Sequence, residues 1–186
     1  TAVGLITPSV DFRIAEPETG EELPWDGQTS GELQVRGPWV AGSYYNDERS
    51  PESFTEDGWL KTGDVATADA EGYIRLLDRT KDLIKSGGEW ISSVELENEI
   101  MAHPDVAEAA VIGVASAKWG ERAMACVVVA EGAQLNADQI LEWLDGRVVK
   151  WWMPDRVEFI DEVPKTSVGK FSKKTLRERF ADVTVD

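Results

Sequence analysis

The order of apolar and polar positions divides the chain near residue 80. Before that point, short mixed stretches at 10–14, 31–36 and 73–77 read as strands. Turn signals separate them: Glu18-Thr19-Gly20, Asp26-Gly27, Asp57-Gly58 and Glu71-Gly72. Residues 25–30 read as a polar loop, and 47–54 as a short helix interrupted by Pro51. After residue 80 helices and strands alternate. Ser92-Ser93-Val94-Glu95 has the form of a capping box, which predicts a helix to about Ala102 that Pro104 stops. Apolar runs at 106–114 and 123–130 have strand length. Asn136 can cap a helix in which Ile140, Trp143, Leu144, Val148 and Trp151 share one buried face. Residues 156–160 alternate as a third strand, and 172–180 form a terminal helix with Leu176 and Phe180 inward.

This pattern predicts an α+β protein of two parts: the end of a β-barrel-like subdomain over 1–80, then a small mixed α/β domain over 81–186. The chain opens on Thr1 with a segment, 1–13, that already resembles the inside of a sheet domain, so a piece of a longer polypeptide is expected.

Composition narrows the function. Hydrophobic residues make up 42% of 186, which suits a packed core. The longest apolar runs are too short to span a bilayer, and no charged-then-apolar leader is present, so a cytoplasmic location is expected. A net charge of -16 argues against a nucleic-acid partner. Against that acidic background, residues 165–179 hold six basic side chains and one acid, which suits either a solvated helix face or a site for a small polyanion. Cys126 lies in an apolar run and reads as a buried thiol; with His103 as the single histidine, no structural zinc site and no metal ligand set is expected.

Four segments carry candidate chemistry. Gly31-Glu32-Leu33-Gln34-Val35-Arg36-Gly37 with Gly42-Ser43-Tyr44-Tyr45-Asn46 reads as strand, turn, strand. In Trp59-Leu60-Lys61-Thr62-Gly63-Asp64, a carboxylate at the end of a tight turn either closes that turn or accepts from a vicinal diol. Asp78-Arg79-Thr80-Lys81-Asp82 is a charged link at the expected domain border, followed by Ser86-Gly87-Gly88, a turn whose backbone can approach a ligand. Finally, Pro164-Lys165-Thr166-Ser167-Val168-Gly169-Lys170 places a lysine after a small polar loop without the spacing of a Walker loop.

In this order and spacing the four segments resemble the adenylate-forming family of acyl-CoA synthetases, luciferases and peptide-synthetase adenylation domains, over essentially the whole chain. The run 86–93 looks most like the medium-chain fatty-acid or methylmercaptopropionate-CoA ligase branch. The resemblance implies that 81–186 is a mobile lid and 1–80 the end of the large domain. It implies that Asp64 and Arg79 contact the ATP ribose, that Lys81 is the hinge, and that Ser86, Gly87, Gly88 and Glu89 lie along the CoA path. Lys170 would be the catalytic lysine, bridging the substrate carboxylate and the α-phosphate. Relatives carry a basic residue where this chain has Trp90, which departs from the pattern. ATP, Mg²⁺, CoA and a fatty acid of medium or long chain are the implied reactants, and a homodimer of the full-length protein is compatible with them. The family's phosphate loop, adenine site and acyl pocket lie upstream, so the piece alone is expected to be inactive. The same motifs also fit an adenylation domain that loads a carrier protein, or a lid serving only as a binding module.

Overall fold

The computed structural model describes residues 4–17, 19–48, 50–167 and 169–185. Residues 1–3 of the opening segment, Glu18 of the turn expected at 18–20, Arg49 of the helix expected at 47–54 and Val168 of the lysine loop lie outside the described residues. The chain divides into two compact units, Thr1–Lys81 and Asp82–Asp186.

The first unit is an antiparallel sheet of β1 (Gly4–Leu5), β2 (Asp11–Ala15), β3 (Gly31–Arg36), β4 (Leu60–Ala68) and β5 (Tyr73–Arg79), in the order β1-β5-β4-β3-β2. Among the described residues it is an open sheet with β1 and β2 at its edges, not a closed barrel. Its core is Phe12, Ile14, Leu33, Ala66, Ala68 and Ile74. In place of a helix at 47–54 there is a single 3₁₀ turn, Ser50–Ser53, with Pro51 as its second residue.

The main departure from the sequence reading is β4. A tight turn was expected to end at Asp64, yet 60–68 is one strand. The polar residues that suggested a turn form a bulge. Glu32 pairs with Val65 but Gln34 with Lys61, so β4 holds extra residues there. Gly63 takes a left-handed φ of 71°. The Thr62 hydroxyl donates to the Leu33 carbonyl (2.8 Å) and accepts from the Asp64 amide (3.1 Å), so the bulge stays bonded to the sheet.

The second unit is built on a long hairpin, β8 (Val106–Ser116) against β9 (Gly120–Val129). It follows β6 (Ile84–Ser86), β7 (Glu89–Ile91) and α1 (Ser93–Met101). After it come α2 (Ala137–Leu144), β10 (Arg156–Phe159), α3 (Lys173–Arg179) and β11 (Thr184–Val185). The sheet order is β11-β8-β9-β6-β7, with β10 also paired, in parallel, to β9. The strands read as unbroken apolar runs because both faces are covered. Ala109, Val111, Ala123, Ala125 and Val127 point to α1 and α2, while Ala110, Ile112, Val114, Met124 and Cys126 join Ile160, Val163 and Leu176 of the α3 side.

The helix signals correspond to real caps. Ser92 accepts from the Glu95 amide (3.2 Å). Asn136 and Gln139 exchange reciprocal side-chain and backbone bonds, both 3.0 Å. The second helix is shorter than its apolar period implied. It ends at Leu144, and Gly146 takes a φ of 74° that turns the chain. Trp151 falls instead in a 3₁₀ turn, Lys150–Trp152, although Val148 and Trp151 still pack on the same core. Among the described residues no helix is long and apolar enough to cross a membrane.

Two outcomes follow from this packing. Burial raises the Cys126 thiol to about 12, with the Glu158 carboxylate adding to the effect. At pH 8, iodoacetamide is expected to alkylate native Cys126 about a thousandfold more slowly than the denatured chain, by mass spectrometry. The sign for stability follows: the native thiol keeps its proton while the unfolded one loses it, so Cys126 lowers stability as pH rises from about 9 toward about 12. The second outcome concerns the β6–β7 turn, where Gly87 and Gly88 have φ of 59° and 91°. A Cβ at Gly87 would sit 2.9 Å from the Trp119 ring, whereas one at Gly88 meets nothing within 4 Å. Both alanine variants carry backbone strain, and Gly87→Ala is expected to lose about 1–3 kcal/mol more than Gly88→Ala in denaturant titration.

Candidate functional site

The residues singled out in the sequence fall into three places, each within one unit. In the first unit, Asp64 and Arg79 are register partners across β4 and β5. The Arg79 Nε and Asp64 Oδ1 form an ion pair at 2.8 Å. The Thr80 amide donates to the Gly63 carbonyl (2.9 Å), so the chain is bonded to the bulge as it leaves the sheet. Gly63, Arg79, Thr80 and Lys81 line an open depression of about 300 Å³. Arg79 thus borders this concavity, and its partner Asp64 is the residue next to Gly63 on β4. Lys81 is exposed, and the division between the units falls directly after it.

In the second unit, Ser86, Gly87, Gly88 and Glu89 form the β6–β7 turn. Gly87 and Glu89 are exposed, and the Gly87 amide donates to the Trp119 carbonyl (2.8 Å). Trp119 meets Trp151 edge to face, with centroids 4.9 Å apart. Trp90, the departure from the family pattern, lies across from Lys85, whose Nζ is 5.4 Å from the ring centroid.

Sequence reasoning missed the side chain that holds this turn in place. Arg122 is buried, bonds Asp155 through Nε and Nη2 and reaches the carbonyls of Trp151 (2.9 Å) and Met153 (3.0 Å). It also donates to Ser86 Oγ at 3.3 Å. The available signal was an arginine immediately before an apolar run, where a buried cation needs partners.

Lys170 is exposed on the loop between β10 and α3. The Thr166 amide donates to the Lys170 carbonyl (2.7 Å), the Lys170 amide to Thr166 Oγ1 (3.2 Å), and Lys165 bridges Phe171 across the loop base. Two carboxylates moor the loop. Glu108 accepts from Lys165 Nζ (2.6 Å) and from the Val163 amide (3.4 Å). Glu97 takes the Lys173 ammonium at 2.8 Å and the Val111 amide at 2.7 Å, and Lys173 also donates to Ser93 Oγ. Lys173 and Glu97 are only 10% and 9% exposed, so each depends on the other for neutralisation. Glu97 gave a signal too: an acid on the stripe of α1 that also carries Ser93 and Ile100.

The lysine loop and the glycine turn are moored to different parts of the β8–β9 hairpin. The loop is tied at Glu108 and, through Glu97, at Val111; the turn is tied at Trp119 and Gly120. Glu108 and Ser116 lie about 26 Å apart along β8 at ~3.3 Å per residue. Among the described residues no group of three His, Cys, Asp or Glu side chains converges as a metal site.

Comparison with known proteins finds relatives for most of the chain. Residues 95–170 match the family model described as AMP-binding enzyme C-terminal domain. The 3-methylmercaptopropionyl-CoA ligase of Ruegeria pomeroyi is 51% identical over 94% of this chain and 32% of its own length. The long-chain-fatty-acid–CoA ligase of Thermus thermophilus is 49% identical over 95% of this chain and 33% of its own. The crystal structure of ATP-bound MatB from Rhodopseudomonas palustris superposes with a TM-score of 0.86, at 41% identity, over 97% of this chain and 36% of that one. The chain thus spans about a third of the length of the curated relatives it matches. Residues 95–170 belong to the family of AMP-binding enzyme C-terminal domains, and the chain as a whole corresponds to the C-terminal part of the acyl-CoA ligases it resembles.

Proposed function

We propose that the chain is the C-terminal part of a cytoplasmic, ATP-dependent acyl-CoA ligase that activates a fatty acid of medium or long chain as its adenylate and passes the acyl group to CoA. The observation that carries this reading is the mooring of Lys170 and the Gly87-Gly88 turn to different parts of one ladder. A rigid lid built this way presents one of them at a time to a fixed point, as two successive half-reactions require. Residues 1–81 end the large domain, 82–186 are the lid, and Lys81 is the hinge between them.

Adenylation brings a carboxylate against the α-phosphate. For unit charges ~4 Å apart at an effective dielectric of ~20, that repulsion is about 4 kcal/mol. The Lys170 ammonium, a compact charge on a long stem, offsets it and stabilises charge building on the phosphoryl oxygens. The exposure of Lys170, on a loop held at its base by Lys165, Thr166 and Phe171, supports this role. Asp64 accepts from the ribose hydroxyls and Arg79 contacts the same sugar, a reading supported by their pairing beside the depression at Gly63. In the second half-reaction Lys170 withdraws, and Ser86, Gly87, Gly88 and Glu89 border the path of the CoA thiol. The thiolate attacks the acyl carbonyl and AMP leaves. When bound with the nucleotide, Mg²⁺ would offset the negative charge of the leaving pyrophosphate.

A pyrophosphate-release screen of carboxylic acids with the full-length protein, ATP, Mg²⁺ and CoA tests the activity, and silence with every acid counts against it. The chain of 186 residues alone is expected to form no acyl-adenylate. In the full-length protein, Lys170→Ala is expected to slow acyl-adenylate formation by about 10²–10³-fold. Thioester formation from supplied acyl-adenylate should change by less than about threefold. Equal losses in the two half-reactions would refute the role given to Lys170.

A further inference from the structure

The passage from one unit to the other is bonded on both sides of a single residue. On the near side, the Thr80 amide donates to the Gly63 carbonyl and Arg79 pairs with Asp64, which fixes residues 79 and 80 to β4. On the far side, Asp82 accepts from Arg177 of α3: Nη1 lies 2.9 Å from Oδ1. Asp82 is 13% exposed and Arg177 32%, so the contact is partly shielded from solvent. Lys81, exposed, is all that lies between the two anchored stretches.

The far anchor is also connected to Lys170. Arg177 stands one helical turn after Lys173, on the same side of α3. Lys173 is held by Glu97 and Ser93 of α1, and Leu176 between them is fully buried against β8 and β9. α3 is therefore fixed at its start to α1, along its length to the sheet, and near its end to Asp82. Lys170 stands three residues before Lys173, and Asp82 one residue after Lys81.

We propose that the Asp82–Arg177 ion pair is a positioning clamp. It confines the turning of the lid to Lys81 and makes the residue after the hinge and the helix after Lys170 parts of one rigid body. Without it, Asp82 and Leu83 would join the moving segment, and a given hinge angle would no longer deliver Lys170 to one place. Arg177 and Asp82 touch no reactant in this scheme and act through Lys170. The proposal rests on the reading of Lys81 as a hinge and Lys170 as the adenylating lysine.

The test uses the full-length protein with Asp82→Asn, Arg177→Met and the exchanged pair Asp82→Arg with Arg177→Asp. Amide hydrogen exchange across residues 81–84, corrected for intrinsic rates, is expected to rise about fivefold in each single variant, with β8 and β9 unchanged, and to return toward wild type in the exchanged pair. Acyl-adenylate formation is expected to fall by about the same factor in the single variants and recover with the exchange. Unaltered exchange at 81–84 in the single variants overturns the clamp, as does a uniform rise that includes β8 and β9. If local exchange responds as expected but wild-type protein adenylates no acid, the clamp stands and the catalytic reading falls. If Lys170→Ala abolishes adenylation while the exchange rates ignore Arg177, the catalytic reading stands and the clamp falls.

Discussion

The β8–β9 ladder is the constraint on which the second unit depends. Along its central pairs, residues 109–112 and 123–127 alternate between two buried faces, so each is committed to one core or the other, and a slip of one place would exchange the two sets. The two segments singled out by motif in this unit, the glycine turn and the lysine loop, are attached to that ladder by named bonds. Arg122 fixes the glycine turn at one end. Glu108 and Glu97 fix the lysine loop at the other. The separation of the two segments is thus set by strand length, a quantity that side-chain motion cannot alter.

Charge in this unit is used to fix loops rather than to add bulk stability. A buried pair such as Lys173 with Glu97 gains Coulomb energy but gives up the hydration of two ions, and an apolar replacement of equal volume would often be as stable. Its value here is directional. The Glu97 carboxylate holds an ammonium from α3 and a backbone amide of β8 together, which ties three elements at one point. Arg122 does the same for Ser86, Asp155 and two carbonyls near Trp151. An apolar side chain could fill either space but could not choose these partners.

Local chemistry made much of this legible in the sequence. Ser92 and Asn136 announced helix starts because a cap is a contact between residues three apart. The two long apolar runs announced strands by their length, and the structure covers both faces of each. The strand at 60–68 was hidden because Thr62, Gly63 and Asp64 carry turn chemistry, and only pairing with β3 and β5 makes a bulge of them. The shortened α2 has a similar cause: the apolar period continues to Trp151, while Asp145 and Gly146 break the backbone that should carry it. Lys170, Gly87 and Asp64 could be marked by motif. The bonds that Arg122, Glu97 and Asp82 make could not, because their partners lie 33, 14 and 95 positions away.

The pairing of Arg79 with Asp64 has a further consequence for any sugar that comes to this carboxylate. The acceptor is not vacant beforehand; it already holds a guanidinium. A diol would take up one contact while another is loosened, and the free energy of binding would be the difference between the two. A site arranged as an exchange of this kind gives little tightness and much discrimination, because a visitor lacking one hydroxyl breaks the resident pair without replacing it.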